Sequence, residues 1–560
     1  MTTDLDSVAA RLRAAPENAA PFAADAFHTR TLGRILADRA ARHGRKPFVM
    51  FEGQAYSYEE FHRQSNRIAN GLMAAGVCFG THVALMMDNK PEMLLAYFAL
   101  GKLGAVAVPL NTASKGEMLL YYLTQSDCVQ IIADESYLDR LGEVLREAPQ
   151  IKLIHTVPGE DRRPNTISWN QPVPLEPFER LLDAPACDLD QEVKASDLCL
   201  LMYSSGTTGR SKGSMASHCC ALTHGYAIAE RLGYTADDVF YVSLPVFHGN
   251  AWYCSCIPAL VVGGTIALAR RFSVGRFWQD VNACGATQFN LLGAMTNFLW
   301  QREPDALERT HRVRQALVIP TPLAFYDDFR ARFGIQLAAL YGLTDAGIVS
   351  VSHSSDPPAK RASAGRPCPE IEIQIVDDND FELPPNQVGE ITLRGREPWI
   401  FPTGYYKMPD ATLAAWRNLW FHTGDRGYLD EDGFLYFSDR KKDAIRRRGE
   451  NISCFEVEQI ISKMPAVSLV AAFPVTSEYA EDEVMVSLVL AEKAAASHED
   501  VIRFCQANMP YFMVPRFVEF AAELPMTMNG KIEKYKLRAR AEAQPDALWD
   551  REKAGIKVTR

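Results

Sequence analysis

An apolar run, Leu198 to Tyr203, delivers the chain directly into Ser204-Ser205-Gly206-Thr207-Thr208-Gly209-Arg210-Ser211-Lys212-Gly213. A short apolar run bounded by turn residues reads as a buried strand. A strand buried on both faces needs helices to cover it, which points to an α/β chain. The glycines let the backbone turn its N–H groups toward an anion, and the hydroxyls and the lysine add donors. The segment is therefore expected to hold a polyphosphate. It is not the P-loop pattern, in which Gly-Lys-Ser/Thr opens a helix. Taken alone, it also reads as a flexible Ser/Gly linker.

The first 130 residues alternate in the manner this strand requires. Ser57-x-x-Glu60 has the form of a capping box opening an amphipathic stretch to Ala75. Val83 to Met87 and Ala105 to Val108 read as strands around a helix from Pro91 to Leu103. Between Val157 and Pro185 proline and charge accumulate without periodicity, which reads as a surface excursion. With 560 residues the chain is too long for one core. The division expected is a large N-terminal domain of several βα-type subdomains, residues 1–441, and a small α+β C-terminal domain, residues 442–560. In the latter Ser453-x-x-Glu456 caps a helix, Leu469 to Phe473 and Val484 to Leu490 form strands, and His498 to Met509 forms a second helix. After Arg540 only a charged tail to Arg560 is expected.

Composition excludes several classes of function. Hydrophobic residues make up 47% and charged ones 23%, ordinary values for a globular protein. A formal net charge of -10 argues against bulk affinity for nucleic acid or for anionic membrane. Residues Met1 to Ala20 show no signal-peptide core. Ala251 to Ala269 carries no charge, but Pro258 and Gly263-Gly264 break it, so a buried helix running into a buried strand is expected there. The 12 cysteines show no paired metal spacing and read as reduced thiols of a cytoplasmic protein.

Four further segments follow in order: Tyr341-Gly342-Leu343-Thr344-Asp345, Phe421-His422-Thr423-Gly424-Asp425, Asp439-Arg440-Lys441-Lys442-Asp443 before Gly449-Glu450-Asn451-Ile452, and Pro525-Met526-Thr527-Met528-Asn529-Gly530-Lys531-Ile532. Each singly reads as a turn or a solvated charge run. Together with the glycine-rich loop they resemble the ordered motifs of the adenylate-forming superfamily, over about residues 30 to 540. Within it, the wording of Leu343-Thr344-Asp345 and of Asp439 to Asp443 is similar to that of crotonobetaine/carnitine-CoA ligase-like members.

The resemblance implies ATP, Mg²⁺ and coenzyme A as cofactors and a small-molecule carboxylic acid as substrate. It implies that Ser204, Ser205, Gly206, Thr207, Thr208, Gly209 and Lys212 wrap the β- and γ-phosphates. Tyr341 with Gly342 would stack on adenine, Thr344 lie near the α-phosphate, Asp425 take both ribose hydroxyls and Arg440 add a ribose contact. Lys531 would bridge the acid's carboxylate and the α-phosphate. Both reacting partners are anionic, so positioning and positive charge are what such a protein supplies. The superfamily's small domain is mobile. Lys442 would be its hinge, His248 in Pro245-Val246-Phe247-His248-Gly249 would close the thiol tunnel, and Gly449 would line it. Arg446, Arg447 and Arg448 are either contacts for the nucleotide phosphates of coenzyme A or a solvated face.

The sequence departs from the family's pattern twice. Asp345 stands where the family usually has Glu as a Mg²⁺ ligand, one methylene shorter, and a water can bridge the difference. Val318-Ile319-Pro320-Thr321-Pro322 replaces a Gly-Gly-Ala-Pro-like turn, so Ile319 and Pro320 reshape the acid pocket. Its other expected residues, Trp252, Tyr253, Asn290, Gly293, Thr321 and Leu340, outline a partly apolar cavity. The leading expectation is an acid–thiol ligase: acyl-adenylate and pyrophosphate first, then a thioester with coenzyme A as the C-terminal domain rotates. The alternatives are an adenylation enzyme serving a carrier or another acyl-accepting partner, and a non-catalytic nucleotide-binding regulator. Homo-oligomerisation stays open.

Overall fold

A computed structural model describes residues 25–159, 169–204, 210–353, 355–440, 444–477, 481–491, 494–526 and 532–558. They divide into two compact units. One draws on Met1–Thr112, Leu123–Met202 and Gly213–Asp439, the other on Ala113–Tyr122, Tyr203–Lys212 and Arg440–Arg560.

Two seven-stranded sheets dominate the first unit. In one, the strands His82–Met86, Val106–Pro109 and Gln130–Asp134 are buried at every position and pair in parallel. The Pro91–Leu103 helix is buried along almost its whole length. Pro91 suits its first turn, where a missing N–H costs nothing, and Gly104 at φ 67° ends it. The other sheet places Gln336–Ala338, Gln315–Ile319, Gln288–Leu292, Val239–Val242, Thr265–Leu268 and Pro47–Phe51 side by side, all parallel. The charge-free window is a buried helix containing a π turn, Trp252–Cys256, which leads into the buried Thr265–Leu268 strand. Among the described residues no helix is long and apolar enough to cross a membrane.

Three expectations need correction. Ser57 caps the Tyr58–Ala74 helix by accepting from Glu60 N, but the Glu60 carboxylate accepts from Gln64, so only half a capping box forms. The reciprocal box lies at Ser497 and Asp500, opening His498–Asn508. The supposed excursion also carries structure. Residues 160–168 lie outside the described ones, yet Leu175–Pro177 adds an edge strand and Phe178–Asp183 buries Phe178 and Leu181. Gly71 permits this approach, because a Cβ there would meet the Leu181 backbone at 2.9 Å.

The second unit holds a four-stranded sheet in the order Val467–Thr476, Asp482–Leu490, Phe517–Phe520, Trp549–Asp550. The Cys454–Ile461, His498–Asn508 and Lys534–Ala543 helices belong to the same unit. The third correction is here: the charged tail is folded. Trp549–Asp550 pairs antiparallel with Phe517–Phe520. Asp550 meets Arg516 at 3.0 Å, and buried Arg551 donates to the Ile556 carbonyl at 2.7 Å.

Candidate active site

The parallel strands of the second seven-stranded sheet end on one edge, and the direction of winding reverses between Val239–Val242 and Gln288–Leu292. In open α/β sheets that carboxyl edge, at that reversal, is where ligands bind. Residues expected from sequence collect there: Pro245 to His248 follow one strand, Gly293 the next, Pro320-Thr321 a third and Leu340 a fourth.

Next to this edge the antiparallel strands Leu340–Leu343 and Gly347–Val351 carry Tyr341. The Tyr341 hydroxyl donates to Asp425 Oδ2 at 2.8 Å, joining residues 84 positions apart. Both are nearly buried, at 7% and 5% exposed. Asp425 lies in the Trp420–Leu429 strand, its N–H donating to Thr423 Oγ1 at 3.1 Å. Phe437 lies nearly parallel to the Tyr341 ring, 6.1 Å away. Thr344 accepts from Ser214 through its carbonyl at 3.4 Å. Asp345 Oδ2 accepts the Tyr405 hydroxyl at 2.8 Å. Burial, then the Asp345 charge, push the Tyr405 phenol far above its ordinary pKa, so it stays a donor.

His224 is an unexpected member of this region. Burial pushes its imidazole down to about 3, so it is neutral. Its Nδ1 accepts from Ile348 N at 3.2 Å. A Cβ on Gly347, whose φ is +73°, would lie 1.8 Å from Nε2. This contact ties the His218–Arg231 helix to the strand that follows Asp345.

The expected acid pocket divides. Asn290 Nδ2 donates to Asn250 Oδ1 at 3.0 Å and to Ser255 Oγ at 2.8 Å, giving a polar trio. Ile319 and Thr321 are half-buried and Pro320 is exposed after a cis peptide bond, while Leu340 is buried. Trp252 is instead a core residue, stacked on Tyr97 at 4.2 Å with no exposure. Tyr253 is buried edge-on to His224. The apolar pattern around 252 and 253 thus marks packing. His248 is half-buried with its ring 4.6 Å from Phe247, and its N–H donates to the Pro245 carbonyl at 3.0 Å.

Other expected residues belong to the second unit or to neither description. Ser205, Gly206, Thr207, Thr208, Gly209, Lys442 and Lys531 lie outside the described residues. Arg440 ends the Leu435–Arg440 strand. Ser204 ends the strand before the loop, and Lys212 begins the strand after it. Ser211, at the loop's exit, is held in the second unit. Its N–H and hydroxyl donate to Glu456 Oε1 at 2.9 and 2.6 Å, and its carbonyl accepts from Tyr121 OH at 2.8 Å. Burial pushes the Glu456 carboxyl up against the opposing pull of Ser211.

The arginine triplet separates, and Arg447 fits neither of the two readings given for it. Arg447 is buried, ion-paired with Glu483 at 2.6 Å, and donates to the Phe512 and Val514 carbonyls. Burial lowers its guanidinium to about 10. Arg446 and Arg448 are exposed, and Gly449 follows at φ 84°. Among the described residues no cluster of three or more His, Cys, Asp or Glu could hold a metal. Sequence reasoning missed Tyr405, Phe437, His224 and Glu456. Glycines flank the first at Gly404 and face the third at Gly347, but no local spacing names their partners.

The family model for AMP-binding enzymes matches residues 36–406, and that for the AMP-binding enzyme C-terminal domain matches 456–531. The chain belongs to the AMP-binding enzyme family. It is 30% identical to a crotonobetaine/carnitine–CoA ligase of Salmonella enteritidis PT4, over 90% of this chain and 98% of that protein. A Bacillus subtilis o-succinylbenzoate CoA synthetase double mutant, bound to a product analogue, matches with a TM-score of 0.78 at 25% identity, covering 90% of this chain and 98% of that one. A Mycobacterium tuberculosis fatty acyl CoA synthetase matches at 0.67 and 25%, covering 92% and 99%. This AMP-binding enzyme is an AMP-forming acid–thiol ligase, with ATP and coenzyme A as substrates. Neither the stand-alone adenylation reading nor the regulator reading is favoured.

Proposed function

We propose that the carboxyl edge beside the Tyr341–Asp425 pair is the adenylation site of this ligase. The observation that carries this reading is the hydrogen bond between two residues that the family resemblance assigns to adenine and ribose, 84 positions apart in the chain. Tyr341 offers a ring face and Asp425 a carboxylate for two sugar hydroxyls, and Arg440 would add a ribose contact. The loop Ser204 to Lys212 would cradle the β- and γ-phosphates. Lys531 would meet the acid's carboxylate and the α-phosphate as a mobile point charge. Mg²⁺ arriving with ATP suits a single carboxylate, so Asp345, oriented by Tyr405, would hold it through water while the ion offsets phosphate charge.

In the thioester step, rotation about Lys442 would exchange Lys531 for Gly449 and open a thiol passage closed by His248. Arg446 and Arg448, not Arg447, would meet the nucleotide phosphates of coenzyme A. The Asn290 trio favours an acid with a hydrogen-bonding group, and carnitine and crotonobetaine head the candidates because the 30% identical relatives are ligases for them. Acid-dependent pyrophosphate exchange over an acid library, repeated with coenzyme A, tests the reading. Exchange with no acyl-CoA product under any acid would overturn the thioester half.

A further inference from the structure

Asn89 lies between the His82–Met86 strand and the Pro91–Leu103 helix and is 3% exposed. Its Nδ2 donates to the Leu244 carbonyl at 2.8 Å and to the Ala269 carbonyl at 3.0 Å. Its Oδ1 accepts from Val246 N at 2.8 Å. Leu244 and Ala269 lie just past the ends of the adjacent strands Val239–Val242 and Thr265–Leu268. Beyond a strand's end the ladder stops supplying partners, and buried backbone groups must find others. An asparagine amide supplies two donors and an acceptor on one planar group. The next peptide is held as well, since Tyr97 OH donates to Val246 O at 3.3 Å.

The bracket is itself fixed on both flanks. Tyr137 OH donates to Asp88 Oδ1 at 2.7 Å. Buried Lys90 pairs with Asp134 and donates to the Pro158 carbonyl at 2.8 Å. Asn89 therefore transmits a fixed position from one seven-stranded sheet to the segment that leaves the other. That segment turns at once, His248 N donating to Pro245 O at 3.0 Å, with Val246 inside the turn.

We infer that Asn89 is a positioning residue for His248, setting where the thiol passage closes. This rests on the proposed role of His248 in the thioester step. If the unmodified enzyme makes no acyl-CoA, that role fails before any variant is examined. If it does, the variants bear on Asn89 alone.

The test compares Asn89→Asp and Asn89→Leu with the parent in two half-reactions, well below each protein's melting temperature. Aspartate keeps the shape but sets a carboxylate oxygen against two carbonyls. Conversion of supplied acyl-adenylate and coenzyme A to thioester should fall about tenfold or more, as displacement of a positioned group does. The KM for coenzyme A should rise with it, while acid-dependent pyrophosphate exchange stays within about threefold, since the Tyr341–Asp425 pair is anchored elsewhere. Equal loss in both half-reactions by folded protein would overturn the inference, as would no loss in either. Should both variants fail to fold, Tyr97→Phe removes one hydroxyl and should split the half-reactions in the same sense. An even effect there overturns it too.

Discussion

At the scale of single residues, the pair Tyr341–Asp425 sets the clearest expectation. Each partner is nearly buried, and the bond between them ends on a carboxylate, so removing it should cost about 1.5–3 kcal/mol. Tyr341→Phe should therefore lower pyrophosphate exchange modestly. Asp425→Asn should lower it further, because the carboxylate is also the proposed ribose contact. Both are read as kcat/KM for ATP, and an unchanged value in Asp425→Asn would remove the residue from the site. Residues 341, 344, 345 and 425 could be named as candidates in advance because they fall in short consecutive motifs. Their partners could not. Tyr405 reaches Asp345 across 60 positions, and Phe437 reaches Tyr341 from another sheet. Trp252 misled for a related reason: an apolar residue beside a motif has the same composition whether it lines a cavity or fills a core.

Among the elements, the hairpin Ala444–Arg447 and Glu450–Ser453 shows how a charge run can conceal a core contact. Alternation in a strand puts neighbouring side chains on opposite faces, so one of three consecutive arginines must point inward. Arg447→Met should destabilise the protein by about 3–5 kcal/mol, because Glu483 would stay buried with only the exposed Arg448, at 3.8 Å, to offset its charge. Urea unfolding of that variant and of the double variant Arg447→Met/Glu483→Leu checks this. The double variant should recover most of the loss, and failure to recover any would count against the pair as the cause. Strands and helices with a clean period were readable in advance, as was the break at Gly263-Gly264. The Leu175–Pro177 strand was not, because an edge strand of three residues with proline carries too little pattern to separate from a loop.

For the whole molecule, two expectations concern acidity and division of labour. His218 and His224 are fully buried, and burial pushes both down to about 3 from the ordinary 6.5. Between those values the unfolded chain takes up protons that the folded one refuses. Their contribution is therefore intact above pH 6.5 and erodes as the pH falls toward 3. The slope is about 1.4 kcal/mol per pH unit for each histidine. Urea midpoints between pH 7 and pH 4 should decline accordingly, and less steeply in His224→Gln if that variant folds, by one histidine's share of about 1.4 kcal/mol per pH unit. Lys531→Ala should lose adenylation yet still convert supplied acyl-adenylate to thioester. Equal loss of both steps would contradict an exchange of catalytic groups between them.

The strand Trp549–Asp550 carries a consequence of another kind. It closes one edge of the smaller sheet, whose other strands begin at Val467, and it lies after all of them in the chain. During synthesis the larger unit's strands are complete more than a hundred residues earlier, since its last one, Leu435–Arg440, precedes all of this. Chains fold from the N-terminal side as they emerge. The larger unit should therefore fold on the ribosome while the smaller one still lacks its edge. Stalled nascent chains ending before Trp549 should resist protease in the first part and be cut in the second.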